Sequence, residues 1–300
     1  MQHLNKNLSW FIAGTLFAIL WASASTATKI GLTVAQPLII AEMRFALASC
    51  IMLLVAHFIF RHRLPAKKEW KQLAVYGFLN ISVYLGLYVF AMQKITAGIG
   101  ALAVAANPVI MSFLSVFFLK KKLNFSIILS IVVCVIGVIC AAFPLFKNSS
   151  VSVEGLLVLF LSMLSYSIGA IYFSFKSWEG LSLLTINGWQ TLLGGLFLLP
   201  VALLFYDKHS NHFSEKFWIS TGWLAILVSV FAVQLWLWLL KLNPIRAGLW
   251  LFLCPLYGFI IAAWLLNDVI SLYTIAGITL VILGLLLSRM NIKKSEVLFD

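Results

Sequence analysis

Ionisable side chains inside long apolar stretches are the first candidates for chemistry in this sequence, because a charge in lipid hydrocarbon costs about 2.5 to 3.5 kcal/mol. Arg44 is the eighth residue of an apolar run that begins at Pro37. A helical rise of about 1.5 Å per residue places it roughly 12 Å from the start of that run. At this depth the guanidinium either extends along the helix to the membrane surface or faces an internal cavity.

Glu42 is the nearest carboxylate to Arg44 in the sequence. Residues two positions apart do not share a face of a helix, so the two side chains are not expected to pair. Glu42 and Glu154 are candidates for binding a proton or a substrate. The first apolar run, residues 9–30, contains no carboxylate, which disfavours proton exchange through an acid in the first helix.

Uncharged polar and aromatic side chains near the middle of apolar runs form a second group of candidates. Each one either holds two helices together or contacts a ligand. Ligand pockets are mostly apolar with a few placed polar groups, and such a pocket suits an amphipathic metabolite better than an inorganic ion. The predicted substrate-binding residues are Trp21, Arg44, Tyr84, Tyr88, Asn107, Tyr166, Gln190, Gln234, Trp238 and Trp250.

Hydrolytic and metal chemistry are not indicated by the sequence. The apolar runs carry no HExxH, no paired Asp and no Ser/His couple, which are the groups that hydrolysis within a membrane needs. The four cysteines, Cys50, Cys134, Cys140 and Cys254, all lie inside apolar runs without close Cys or His neighbours. They are expected to be small buried hydrophobic residues, and we predict no enzymatic activity, no metal and no cofactor.

The composition identifies the elements that must position these residues as membrane helices. Of the 300 residues, 63% are hydrophobic and 10% charged, with a mean hydropathy of +1.05. A soluble domain carries roughly 25% charged residues. Since backbone groups must be satisfied within the chain in lipid, helices are the expected form. The net charge of +12 comes from basic residues placed between apolar runs, which predicts no nucleic-acid partner.

A helix that crosses the hydrocarbon needs about 20 apolar residues, and ten such runs predict an all-α membrane protein of ten transmembrane helices. Fifteen Lys and Arg residues fall on the side of the N-terminus and five on the other, which predicts cytoplasmic termini in a multi-pass protein of the inner (plasma) membrane. The start of the first run imitates a cleavable signal peptide, but nine further spans favour a retained helix. The predicted spans are residues 9–30, 37–60, 73–93, 97–119, 125–146, 153–175, 182–206, 219–240, 247–267 and 270–290.

The two halves of the sequence resemble each other. An offset of 147 aligns Pro108 with Pro255 and Gly137 with Gly284. Two longer connections, residues 61–72 and 207–218, lie between the second and third predicted helix of each half. Five spans are an odd number, so the second half enters the membrane in the opposite direction. We therefore predict two inverted five-helix repeats, residues 1–148 and 149–300.

On these features the chain resembles the drug/metabolite transporter superfamily, in particular its EamA-type members. The resemblance lies in an aromatic-rich third helix followed by an Ala-rich fourth helix with proline, then a basic turn and a fifth helix with glycine. Residues 88–97 with Asn107-Pro108 fit this pattern in the first half, and residues 236–244 with Cys254-Pro255 fit it in the second. Family members often carry Gly-Glu after the fourth helix of a repeat, where this chain has Lys120-Lys121 and Asn267-Asp268.

This resemblance implies a transporter of a small organic metabolite, amino-acid-like or amphipathic, that exports its substrate by alternating access. A lipid-carrier flippase and a membrane-embedded enzyme are the alternatives. The expected partners are the small-molecule substrate, membrane lipid and a second copy of the chain in a homodimer. The basic turn Lys120-Lys121-Lys122 is expected to contact anionic headgroups.

Overall fold

A computed structural model describes residues 2–95, 100, 103–118, 125–148, 152–266 and 272–290. Every regular element within these ranges is helical. The basic turn at Lys120–Lys122 and the Asn267-Asp268 pair lie outside the described residues. The α-helices are α1 (Gln2–Leu32), α2 (Pro37–Leu54), α3 (Lys67–Gly77), α4 (Tyr84–Lys94), α5 (Asn107–Phe118), α6 (Phe125–Asn148), α7 (Val153–Phe175), α8 (Leu183–Leu204), α9 (Glu215–Trp223), α10 (Val233–Leu242), α11 (Pro244–Leu249), α12 (Leu253–Leu266) and α13 (Leu272–Met290).

Six helical stretches among the described residues are long and apolar enough to cross a membrane. Shorter apolar helices cover Val104–Phe118, Phe125–Gly137 and Ile275–Gly284. These findings confirm the prediction of an all-α membrane protein, and the count of ten spans stays a prediction. The six long stretches are Leu8–Leu32, Pro37–Ile59, Lys67–Lys94, Val153–Phe175, Leu183–Leu204 and Glu215–Leu242.

The third long stretch begins earlier than its hydropathy predicts. The sequence places residues 61–72 in a connection, whereas α3 begins at Lys67. A carboxylate oxygen of Glu69 accepts a hydrogen bond from the backbone N–H of Ala66 at 2.6 Å. This bond satisfies a donor that the first helical turn leaves unpaired. The polar cap therefore extends the helix beyond its apolar part, and the connection from the second long stretch, which ends at Ile59, shortens to residues 60–66.

Two of the long stretches change their helical form near the middle. The π-helical segment Phe78–Val83 joins α3 to α4, and the π-helical segment Leu224–Ala232 joins α9 to α10. Wider helical turns of this kind are frequent at functional sites. The first segment ends directly before Tyr84, and the second contains Ser229, so both set the direction of side chains described below.

The helices pack closely where glycines meet. α2 packs along α8, α4 along α7 and α6 along α13. At the crossing of α3 and α8, a Cβ atom built on Gly194 would lie 2.6 Å from the carbonyl oxygen of Gly77. The hydroxyl of Ser82 donates to the carbonyl of Gly194 at 2.6 Å. Only glycine, which has no side chain, allows the two helices to approach this closely.

Candidate functional site

A cavity lies between α1, α2, α4 and the two segments that hold Val104 and Val228. It is small and partly open to the exterior. Trp21 and Ser25 of α1, both buried, form one side of it. The complete lining is Trp21, Ala22, Ala24, Ser25, Arg44, Tyr84, Leu85, Tyr88, Val104, Val228 and Cys254. Four of the ten predicted binding residues therefore meet at one cavity.

Arg44 is the single charged residue in this lining. Its side chain is 5% exposed, and its Nε donates to the hydroxyl of Ser229 at 2.7 Å. No carboxylate in the described part of the chain forms an ion pair with it. Glu42 lies toward α8 instead, with one carboxylate oxygen 3.5 Å from the Cβ position of Gly195. The sequence-based separation of Glu42 from Arg44 agrees with this geometry.

A chain of buried amides lies behind Arg44. Asn80 donates to Gln190 at 3.2 Å, Gln190 donates to Asn187 at 3.1 Å, and Asn187 donates to the backbone oxygen of Ser229 at 2.9 Å. Gln190, predicted to contact substrate, thus lies in this chain rather than in the cavity lining. Buried hydrogen-bond networks of this kind fix side chains in one arrangement, and here the fixed end is the residue that holds Arg44.

Five aromatic residues in mutual contact lie beside the cavity, toward the N-terminal part of α1; we call them the aromatic layer. They are Phe17, Trp21, Tyr84, Tyr166 and Trp236, and all are buried. The ring of Tyr166 lies 4.7 Å from Tyr84 and 5.8 Å from both Trp21 and Trp236, and Phe17 stacks on Trp236 at 5.0 Å. Tilted and offset contacts at these distances are the favoured geometries of aromatic pairs.

Two polar atoms of the aromatic layer have no hydrogen-bond partner in the described part of the chain. They are the hydroxyl of Tyr166 and the indole Nε1 of Trp236, each fully buried. A buried donor without a partner forfeits about 1 to 3 kcal/mol. Trp236 was not among the predicted site residues, although Trp238, two positions later, was. Composition alone does not distinguish two tryptophans on different faces of one helix.

The remaining predicted residues lie outside the cavity lining. Asn107 on α5 accepts a hydrogen bond from Ser167 at 3.1 Å. Trp250 packs on Gly14 and lies 5.0 Å from the ring of Trp10, more than two helical turns from Ser25 along α1. Trp238 is partly buried, and Gln234 has a buried oxygen that accepts no hydrogen bond from the described residues. Ser229 is the contact that the sequence did not indicate, because a single serine in an apolar run carries no signal.

Two connections at opposite ends of the helices are fixed by hydrogen bonds. Arg63 makes two bonds of 2.7 Å to the buried carboxylate of Glu69 and a third to the backbone of Glu179. At the other end, Gln36 donates through its backbone N–H to Asn211 and accepts from the N–H of Asp207, both at 2.8 Å. Hydrogen bonds from the Ser210 hydroxyl and the His209 backbone lower the pKa of Asp207.

The sequence is similar to those of known proteins over most of its length. The EamA-like transporter family matches residues 8–143 and 153–290, and the chain therefore belongs to this family. The uncharacterized transporter YoaV of Bacillus subtilis is 22% identical over 289 residues, which are 93% of this chain and 96% of YoaV. An uncharacterized transporter of Archaeoglobus fulgidus is 26% identical over 284 residues, which are 92% of this chain and 96% of that protein.

The fold is also found in a solved structure. A crystal structure of another protein superposes on this chain with a TM-score of 0.79, covering 96% of this chain and 99% of that one at 14% identity. At this identity the match shows the shared fold. Together with the apolar helices, the family membership identifies the chain as an integral membrane protein of a transporter family and confirms the resemblance inferred from its motifs.

Proposed function

We propose that this protein exports a small organic metabolite, amino-acid-like or otherwise amphipathic, across the inner membrane by alternating access, with the cavity at Arg44 as its substrate site. The observation that carries the proposal is this cavity. Three aromatic side chains, one buried cation and residues from both halves of the chain line it. Carrier sites lie near the bilayer midplane between repeats. The direction of transport rests on the resemblance to drug/metabolite transporters.

Two inverted repeats are part of the proposal, and the crossing of α6 with α13 supports them. The thiol of Cys134 contacts the carbonyl of Val281, a residue 147 positions later. On one side of this pair the hydroxyl of Ser130 donates to the carbonyl of Gly284 at 2.6 Å. On the other side, a Cβ atom on Gly137 would lie 2.8 Å from the carbonyl of Gly277.

These contacts are reciprocal under the same offset. Gly137 corresponds to Gly284 and Ser130 to Gly277, so each contact is the image of the other, and Cys134 corresponds to its own partner Val281. Reciprocal contacts of this kind arise across a two-fold axis. Along this crossing one residue number rises as the other falls, so the two helices are antiparallel. Equivalent helices that run antiparallel are expected from repeats inserted in opposite directions.

Local irregularities of the helices support the same relation. The π-helical segments Phe78–Val83 and Leu224–Ala232 occupy corresponding places in the two halves, as do the short 3₁₀ segments Val104–Ala106 and Trp250–Phe252. The family also matches the chain in two successive stretches. Ten transmembrane helices in two repeats of five, divided near residue 148, account for these correspondences.

The aromatic layer gives alternating access a physical basis. With cytoplasmic termini, as the distribution of Lys and Arg predicts, the start of α1 lies inside. Phe17 is four residues closer to that start than Trp21, so the layer separates the cavity from the cytoplasm. Parting of the layer, together with closure of the opposite side, would transfer a bound solute between the two compartments.

Counterflow in proteoliposomes tests the proposal. Vesicles preloaded with an unlabelled solute should accumulate a trace of the labelled solute transiently, because a carrier exchanges one for the other. Val104→Trp, which fills the cavity, should abolish this exchange. Leu54→Trp, on a side chain that is 50% exposed in α2, should retain it. If no solute from a panel of amino acids, carboxylates, nucleosides and cations shows an overshoot, or if Val104→Trp exchanges at the wild-type rate, the proposal is wrong.

A further inference from the structure

We propose that the substrate is an organic monocarboxylate whose carboxylate binds Arg44 and whose apolar part packs against Trp21, Tyr84 and Tyr88. This inference rests on the proposed function and narrows its substrate class. It starts from the charge of the cavity. Among the lining residues Arg44 alone is ionic, so the cavity holds one fixed positive charge and no negative one.

A buried guanidinium without a carboxylate is expensive to maintain. Arg44 is 5% exposed and, among the described residues, makes a single hydrogen bond, to the neutral hydroxyl of Ser229. Arg carries five N–H donors in a planar fork. The bond to Ser229 uses one of them, so most of the donors are left for a ligand. Removing a charge from water is compensated only by pairing. The described protein supplies no anionic partner for Arg44, and we therefore assign that partner to the ligand.

The geometry of the fork favours an oxyanion with two equivalent oxygens. A carboxylate accepts two parallel N–H bonds from a guanidinium, which adds direction as well as attraction. The amide chain from Asn80 through Gln190 and Asn187 ends on Ser229 and so limits the movement of Arg44. A guanidinium that is already positioned loses little freedom when it binds its ligand.

The remaining walls select the rest of the ligand. Trp21, Tyr84 and Tyr88 are all less than 10% exposed and supply aromatic faces, which suit an aromatic or branched aliphatic group. Glu42, the nearest carboxylate in the sequence, is directed toward Gly195 on α8. An ammonium group in the ligand would find no anionic partner in the described lining, so an amino acid should bind more weakly than the corresponding carboxylic acid.

Binding to purified protein in detergent tests this inference without requiring transport. The probes are 3-phenylpropionate, its amide, 3-phenylpropylamine, phenylalanine and 2-phenylethylphosphonate, with affinity read from intrinsic tryptophan fluorescence. The carboxylate should bind at least tenfold more tightly than the amide, amine or amino acid, which corresponds to about 1.4 kcal/mol. If the amine or amide binds as tightly as the carboxylate, or if the phosphonate alone binds, the carboxylate assignment is wrong.

Three variants separate ligand binding from a structural role of Arg44. Arg44→Gln should lower the carboxylate affinity at least tenfold and abolish the difference between acid and amide. Arg61→Gln removes an arginine charge from an exposed connection and should change neither. Ser229→Ala deletes the hydrogen bond that Arg44 makes within the protein, and should cost clearly less than Arg44→Gln. Equal losses for Ser229→Ala and Arg44→Gln would show that Arg44 acts through its hydrogen bond within the protein and not through the ligand, and would overturn the inference.

The two proposals fail in different ways. Carboxylate binding that depends on Arg44, without counterflow of the bound acid, would refute transport and leave the binding site intact. Counterflow of a neutral or cationic solute that Arg44→Gln does not impair would support a carrier and refute the carboxylate assignment.

Discussion

The contact between α3 and α8 gives a quantitative prediction for Gly194→Ala. The added methyl group would lie 2.4 Å from the Cβ atom of Ile81 and 2.6 Å from the carbonyl oxygen of Gly77. Both atoms are held close to a helix backbone, so neither can move away without moving its helix. Overpacking of this kind costs about 1 to 3 kcal/mol. Loss of the Ser82 hydrogen bond to Gly194 would add about 1 kcal/mol.

An opposing term must be subtracted from this cost. Replacing glycine by alanine inside a helix stabilises it by up to about 1 kcal/mol. The expected net loss for Gly194→Ala is therefore about 1 to 3 kcal/mol. Gly222→Ala is the matched control, because no atom of a neighbouring helix among the described residues lies within 4 Å of its Cβ position. It carries the same gain in helix propensity without the clash, and should be neutral or slightly stabilising.

Thermal unfolding in one detergent measures both variants. A change of 1 kcal/mol shifts the melting temperature by about 2–4 °C in chains of 150–250 residues. Gly194→Ala should melt several degrees below the wild type, and Gly222→Ala at or slightly above it. If Gly194→Ala melts at the wild-type temperature, the two helices are not in contact at this point and the packing described for α3 and α8 is wrong.

Three further predictions concern the site, one connection and the topology. Trp21→Phe should lower transport affinity several-fold at unchanged melting temperature, because the indole face is lost while most of the volume remains; a loss of stability with unchanged affinity would assign Trp21 to packing alone. Glu69→Gln should destabilise the protein by about 1 to 2 kcal/mol in thermal unfolding, because the variant loses the negative charge and one of the two oxygens that accept from Arg63 and from the Ala66 N–H; an unchanged melting temperature would show that this pair does not stabilise the protein. In a chain without its native cysteines, Lys208→Cys should react with an impermeant maleimide from outside, and Lys67→Cys should not; the reverse pattern would invert the topology.

Hydropathy predicted the helical class because the requirement for apolar length is imposed by lipid and is visible in composition. The sixth predicted span, residues 153–175, coincides with α7. The start of the third stretch was predicted late, at residue 73. Its first turn is polar and depends on Glu69 as a cap, and a count of apolar residues does not include this contribution.

The site was predictable to the extent that its residues are rare in apolar runs. Arg44 attracts attention as a charge within a predicted span, and Tyr84 and Tyr88 as polar aromatics. Composition does not show which side of a helix faces the cavity. The sequence therefore did not reveal that Trp250 lies on Gly14 or that Trp236 belongs to the aromatic layer. The rotation of α10 follows a π-helical segment, and such a segment changes the phase of all residues that follow it.

The unpartnered polar atoms of the aromatic layer influence how easily a ligand could change the population of states. In the closed arrangement the Tyr166 hydroxyl and the Trp236 indole N–H each lack an acceptor or donor. Water admitted by a parted layer would satisfy both, which returns about 1 to 3 kcal/mol for each group. A layer made only of phenylalanine would lack this compensation. A ligand shifts the equilibrium between the closed and the parted layer only by the difference in its affinity for these two states. Because the closed state already carries this penalty, a smaller difference in affinity is enough to part the layer.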